Sequence, residues 1–206
     1  MFETEKFSLI ANNLFLDFVN TEKRRDGRPF ETLVTIADFL SWSAAVGLLG
    51  IEQAKDLSEK WNDPNSTAEC LREAIKFRDI LRETAENIAA GNDIPVSAVA
   101  AINERLKKHS GFTEIEKVEN GFEKRFRLDL SEPSKLLQPV AESAADFLCY
   151  ANFDFLRKCE SASCVLYFYD TTKNHRRRWC SMKACGNQAK AAAFYKRKKQ
   201  AAQNES

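Results

Sequence analysis

Four of the chain's six cysteines stand in two matched pairs near its C-terminal end, Cys159-x4-Cys164 and Cys180-x4-Cys185, with fifteen residues between the pairs. No other feature restricts the fold as tightly. Two pairs of thiolates joined by a short loop are what four-coordinate structural zinc requires: each pair closes a knuckle that offers two sulfurs on one side, and the loop lets the knuckles meet. So small a segment buries little core, and metal binding then supplies much of its folding free energy, on the order of 10 kcal/mol in comparable peptides. The competing reading is a pair of disulfides, but in a reducing compartment clustered cysteines are metal ligands more often. An open catalytic metal site is not indicated, since four thiolates fill the shell and no neighbouring Glu stands as a base. The expected cofactor is therefore one structural Zn2+ on Cys159, Cys164, Cys180 and Cys185.

The residues around these cysteines suggest how the module folds. Val165 to Asp170 is aromatic and β-prone and should form one strand of a hairpin, with Arg176 to Trp179 as the returning strand. Ala189 to Lys199 is rich in helix formers. Two knuckles, a hairpin and a terminal helix make a treble-clef-like plan. Trp179 is expected in the module's small core, and His175, among Lys173, Asn174 and Arg176, in an exposed loop. Cys70 and Cys149 sit alone in helix-like apolar surroundings, as buried small hydrophobes do.

Charge divides the chain at the same place. Over the whole sequence 31 Lys and Arg balance 30 Asp and Glu, but residues 151–206 carry a net +8 and residues 1–150 a net −7. The basic part suggests a partner-binding surface. Arg176, Arg177, Arg178, Lys183, Lys190 and Arg197 are the candidate nucleic-acid contacts, since neutralising phosphates releases counterions and dominates such affinity. The alternative is a solvated basic tail.

The first 150 residues read as helical. Apolar residues make up 44% of the chain, against 7 Gly and 5 Pro, which disfavours disorder and all-β folds. Apolar spacing predicts helices over Asn12 to Thr21, Thr32 to Leu49, Ile51 to Trp61, Ser66 to about Ala90, and Pro95 to about Lys108. Ser66 and Glu69 have capping-box spacing. Arg24 to Phe30 reads as a loop. Around Asn120-Gly121 the period changes to alternation, which predicts a β-hairpin with a type I′ turn. A last helix, Lys135 to about Arg157, would lead into Cys159 and join the two parts.

The expected fold class is thus mainly α with a small β-hairpin (α+β): a helical N-terminal domain, 1–150, followed by a small treble-clef-like, four-cysteine zinc-finger module, 155–200. The longest weakly polar run, Trp42 to Ile51, is about half of the roughly 20 residues a membrane span needs. No signal peptide is evident, so no membrane association and a cytoplasmic location are expected. No phosphate loop, nucleophile elbow or paired catalytic His is present, so no enzyme activity is expected. On the first helix Asp17, Asn20 and Thr21 share a face and, with Arg24, are candidates for a polar ligand site; alternatively they tie down the following loop.

The string Arg177-Arg178-Trp179-Cys180-Ser181-Met182-x-x-Cys185-Gly186-Asn187 resembles the CGNR zinc-finger family, with Cys159 and Cys164 matching its first cysteine pair and Tyr167 to Asp170 its aromatic strand. Gln188 stands where the family pattern has Arg, which leaves the metal ligands intact and removes one cation. Leu14-Phe15-Leu16-Asp17-Phe18-Val19-Asn20-Thr21 is similar to the opening of the ABATE domain, which commonly precedes this finger. The resemblance implies a stress-induced bacterial transcriptional regulator, with a finger that binds DNA and a helical domain that senses a small-molecule effector. Apart from the resemblance, the acidic helical domain is expected to receive a signal or to form a homodimer. The alternatives are a zinc-stabilised protein-docking module and an RNA-binding protein that stacks bases on Trp179, Tyr167 or Tyr169.

Overall fold

The structure, a computed structural model, describes residues 6–25, 28–108 and 111–204. Helix α1 (Leu14–Val19) starts at Asn13, whose side chain accepts from the Leu16 N–H, and it buries Phe15, Leu16, Phe18 and Val19. The segment read as a loop instead pairs as β1 (Glu22–Arg25) and β2 (Arg28–Glu31), with Glu22 opposite Glu31 and Arg24 opposite Pro29. A two-stranded ladder has only edges, and an edge tolerates Pro29.

Helix α2 (Ile36–Ala45) is shorter than the apolar pattern suggested. Thr35 and Asp38 form a reciprocal capping box that fixes its start. Just past its C-terminal end Gly47 takes φ +79°, and Leu48 and Leu49 turn back to the Ser43 carbonyl. After α3 (Ile51–Lys60), α4 (Pro64–Ala90) begins two residues before Ser66. Asp63 caps it, accepting from the Asn65 and Ser66 N–H groups, and Pro64 suits the first turn because it has no N–H to satisfy. Gly91, left-handed at φ +70°, ends it.

Helix α5 (Val96–Leu106) leads to the hairpin of β3 (Gly111–Val118) and β4 (Gly121–Leu128). Its register pairs Val118 with Gly121, so the turn residues are Glu119 and Asn120, one position before the expected pair. Neither has positive φ, so the turn is not type I′.

Helix α6 (Gln138–Tyr150) follows a 3-10 turn over Pro133–Leu137 and does not continue to Arg157. Ala151 is extended, and Asn152 caps a separate turn, Phe153–Phe155, by accepting from the Asp154 N–H. The chain then runs as β5 (Leu156–Lys158), which pairs antiparallel with β6 (Tyr167–Tyr169).

One apolar core runs through the molecule. Phe18 meets Trp42 at 5.2 Å between ring centroids, Phe15 meets Phe147 at 5.4 Å, and Phe147 meets Tyr169 at 5.4 Å. Leu166, Tyr167 and Phe168 belong to the same buried cluster as Phe77 and Leu81 of α4 and Val140 and Ala144 of α6. Residues from both the 1–150 and the 155–200 segments therefore share it. The described residues form a mainly helical chain with three two-stranded antiparallel sheets. Among them, no helix is long and apolar enough to cross a membrane.

Candidate metal centre

Strand β5 delivers Cys159 directly. The Cys159 N–H extends the ladder by donating to the Leu166 carbonyl at 2.9 Å, and the Cys164 N–H closes the first knuckle on the Ser161 carbonyl at 2.9 Å. The hairpin partner of β6 is thus upstream of the first cysteine. Arg176 to Trp179, expected as the returning strand, is not one; its backbone meets the first knuckle where the Arg178 carbonyl accepts from the Glu160 N–H at 3.0 Å.

In the second knuckle Ser181 caps a π-helical turn, Met182–Gly186, that carries Cys185 and runs on into α7 (Asn187–Asn204). The Met182 side chain lies over Gly186, where a Cβ would displace its flexible end.

The four sulfurs lie within 4.8 Å of one another. Cys164 Sγ is 3.7 Å from Cys180 Sγ, which is 3.6 Å from Cys185 Sγ. Sulfurs bound tetrahedrally to zinc at about 2.3 Å lie about 3.8 Å apart, so the spacing fits one ion. All four are free thiols, not disulfides. Hydrogen bonding from Cys180 holds the Cys164 thiol down at about 5, whereas the bond to Cys164, with burial, pushes Cys180 up, and burial pushes Cys185 up to about 11. Clustered sulfurs therefore resist joint ionisation, and a divalent cation is what would let all four be thiolates. The Cys180 N–H also donates to Cys159 Sγ at 3.4 Å, the kind of outer bond that orients a ligating sulfur. The four cysteines fit one structural zinc.

Arg177 is spent on building the centre. Its guanidinium lies 4.1 Å from the Phe168 ring centroid and donates to the carbonyls of Trp179 (3.1 Å), Ile10 (3.0 Å) and Cys180. Asp170 is fully buried and accepts from the Arg177 and Thr172 N–H groups at 2.8 and 3.0 Å and from the Thr172 hydroxyl at 2.6 Å. Burial raises its carboxyl, but these bonds hold it below the ordinary value. His175 is half-buried rather than exposed: at φ +48° it stacks on Phe155, centroids 3.7 Å apart, with Nδ1 3.0 Å from the Asp170 carbonyl. Trp179 is half-buried against the core, beneath the Arg178 guanidinium.

Of the other basic candidates, Arg178 is exposed and ion-paired to Glu160 at 2.5 Å. Arg176, Lys183, Lys190 and Arg197 are exposed, the last three on the second knuckle and the helix after it. Cys70 is buried as expected; Cys149 is exposed, because it lies on the solvent side of α6.

Asp17, Asn20, Thr21 and Arg24 do not converge. Asp17 accepts from the Ile10 and Ala11 N–H groups, each at 3.1 Å. Asn20 is buried and pairs with the Tyr167 backbone in both directions, donating at 2.8 Å and accepting at 2.9 Å. The Thr21 hydroxyl donates to the Phe18 carbonyl at 2.7 Å and accepts from Arg78 at 3.1 Å. Arg24 is exposed on β1. The first three are tie-points, and two of them serve segments next to the metal centre. The N-terminal segment reinforces them: the Ala11 carbonyl accepts from the Tyr169 N–H at 2.8 Å, and the Asn12 amide donates to the Tyr169 carbonyl at 3.1 Å. Sequence spacing gave no hint of this docking, whose partners are more than 140 positions apart.

Two family models together match most of the chain. One, ABATE, described as "putative stress-induced transcription regulator", covers residues 12–151, and the other, the CGNR zinc finger, covers 156–198. Comparison with the curated proteins finds no match.

Proposed function

On the premise that the chain belongs to the ABATE family and ends in a CGNR zinc finger, we propose that it is a cytoplasmic DNA-binding transcriptional regulator whose helical part receives a small-molecule signal. In this reading the zinc is structural and the role is binding rather than catalysis.

The observation that carries the proposal is α7. From Lys190 onward its described side chains are exposed, including Phe194 and Tyr195 at 56% and 69%. Its sequence holds Lys190, Lys196, Arg197, Lys198 and Lys199 and not one carboxylate. Helices usually offset such charge with acids three or four residues away, and like charges at those spacings destabilise. A helix of this kind, fixed at its base by a metal-locked knuckle, is stabilised by a polyanion. The DNA major groove is wide enough to admit it. With Arg177 committed internally and Arg178 paired to Glu160, the contacts fall to Arg176, Lys183, Lys190, Lys196, Arg197 and Lys198.

Titration of duplex DNA at several salt concentrations tests this. Affinity should fall steeply with salt and exceed that for random sequence. Replacing Lys190 and Arg197 together by Ala should reduce the slope of log K against log salt by about 1 to 2 units and leave the fold intact, since both side chains are exposed. Weak, unselective binding would favour a protein-docking role, and preference for single strands an RNA-binding one.

A further inference from the structure

The sides of α7 are not alike. Residues three and four apart on a helix are neighbours, so Phe194 adjoins Lys190 and Ala191 toward the metal centre and Arg197 and Lys198 beyond it. Three of these four neighbours are cations, and the fourth is too short to stand in front of the ring. All five side chains are exposed, Phe194 at 56%. Its ring meets Tyr195 edge-on, at 5.7 Å between centroids and 75° between planes, and is otherwise open to water. An uncovered ring contributes nothing to a solvated helix, whereas burying one in a complex is worth about tenfold or more in affinity. The surrounding charge says what covers it: a polyanion with apolar groups on its surface. Duplex DNA meets both conditions. Long basic side chains reach the phosphates at the rims of the major groove, a residue in the middle of the face meets the base edges, and the apolar group presented there is the thymine C5-methyl. An anionic lipid surface would satisfy the charge, but a helix lying in it needs a stripe of large apolar residues, and α7 offers Phe194 and Tyr195 among alanines.

We infer that Phe194 is the residue through which α7 reads sequence: its ring packs on thymine methyl groups in the major groove, while Lys190, Arg197 and Lys198 hold phosphates around it. The inference rests on the DNA-binding reading above and assigns, within it, the face of α7 that turns to the bases.

The test uses the full zinc-loaded chain to select a duplex site from a random pool. Affinity is then measured for that site, for the same site with deoxyuridine in place of thymidine, and for random duplex. Removing the methyls should weaken the parent about three- to fivefold per contacted thymine, the effect of losing one buried methyl. Phe194→Ala should weaken binding to the selected site about tenfold or more, bind its two versions equally, and leave the affinity for random duplex and the salt slope as in the parent. Lys190→Ala should lower both affinities, reduce the salt slope by about 1, and keep the preference for thymine. Tyr195→Ala, about 100° further round the helix, should keep that preference too. All three side chains are exposed, so the fold is expected to survive and circular dichroism checks that it does.

A parent that selects a site but binds its deoxyuridine version equally, or a Phe194→Ala variant that keeps the parent's preference, overturns this inference and leaves the regulator reading standing. Loss of the preference in Tyr195→Ala as complete as in Phe194→Ala also overturns it, since the face would then be wrongly assigned. A parent that selects no site removes the regulator reading and this inference with it; binding to phosphatidylserine vesicles in that case, lost in Phe194→Ala, would give the helix to a membrane surface.

Discussion

Asn20 does at one position what a whole strand would otherwise do. Its amide pairs with both the N–H and the C=O of Tyr167, at 2.9 and 2.8 Å, and so joins the metal-bearing segment to α1 in the manner of a ladder rung. Asn20→Ala would leave two buried backbone groups unpaired, at a cost of about 2–4 kcal/mol read from urea unfolding. A loss under about 0.5 kcal/mol would show that water replaces the rung. Asp17 makes a different prediction. Burial lifts its carboxyl from 3.8 to about 6, against the opposing N–H groups of Ala11 and Ile10. A carboxyl raised in the folded state contributes stability that is complete below pH 3.8 and lost as pH climbs through about 6. Asp17→Asn keeps an acceptor for both N–H groups and removes the titration. It should flatten the stability profile between about pH 4 and 6 and stabilise the protein at pH 7 by about 1–2 kcal/mol, a figure reduced for partial exposure. Parallel profiles for the two proteins would refute this. Spacing did place Asp17, Asn20 and Thr21 on one face, but it could not say that they serve three separate partners.

Among the elements, α4 acts as a rail. Arg78, Arg82 and Glu86 stand four apart along it and so form one stripe. Arg78, fully buried, holds Glu31 of β2 at 2.5 and 2.7 Å; Arg82 donates to the Val19 carbonyl at 2.6 Å; Glu86 accepts from the Tyr167 hydroxyl at 3.1 Å. The stripe thus fastens the β1–β2 hairpin, the end of α1 and β6. Burial raises the Glu31 carboxyl, but the Arg78 hydrogen bond and charge outweigh it and set it below the ordinary value. A depressed carboxyl contributes stability above its ordinary pKa and loses it as pH falls through the lowered one. Glu31→Gln should therefore cost about 1–3 kcal/mol at pH 7, because the buried Arg78 keeps only the more distant Glu22 carboxylate, at 3.8 Å, and the gap from the parent should close on acidification. A gap independent of pH would mean that packing, not charge, is lost. Element identity was legible where periodicity was long, as in α4, and where breakers were strong, as at Gly91. Boundaries were not: Asp63 rather than Ser66 caps α4, and Asn152 divides the expected helix after Tyr150, because each end is decided by one side chain's bond to a backbone N–H.

For the whole molecule the decisive fact is the shared core. Cys159, Cys180 and Cys185 lie in the same buried cluster as Phe15, Trp42 and Leu81. Removing the metal with a chelator, or replacing Cys185 with Ser, should lower the Tm of a single cooperative transition across the chain. Two transitions, with the helical one unmoved, would show that the parts fold independently. The amino-acid sequence by itself determined the metal centre, the helical character and the basic last helix, because ligand spacing, apolar period and charge are local properties that survive without a fold. Tertiary structure alone decided that Arg177 clamps three carbonyls instead of facing solvent, that β5 rather than Arg176 to Trp179 pairs with β6, and that Asn20 anchors the finger. The β5–β6 pairing is local, but two neighbouring segments compete for one strand edge and only the folded chain selects between them. The Arg177 and Asn20 outcomes depend on which distant surfaces meet, and no short-range pattern encodes a contact between residues more than 140 positions apart.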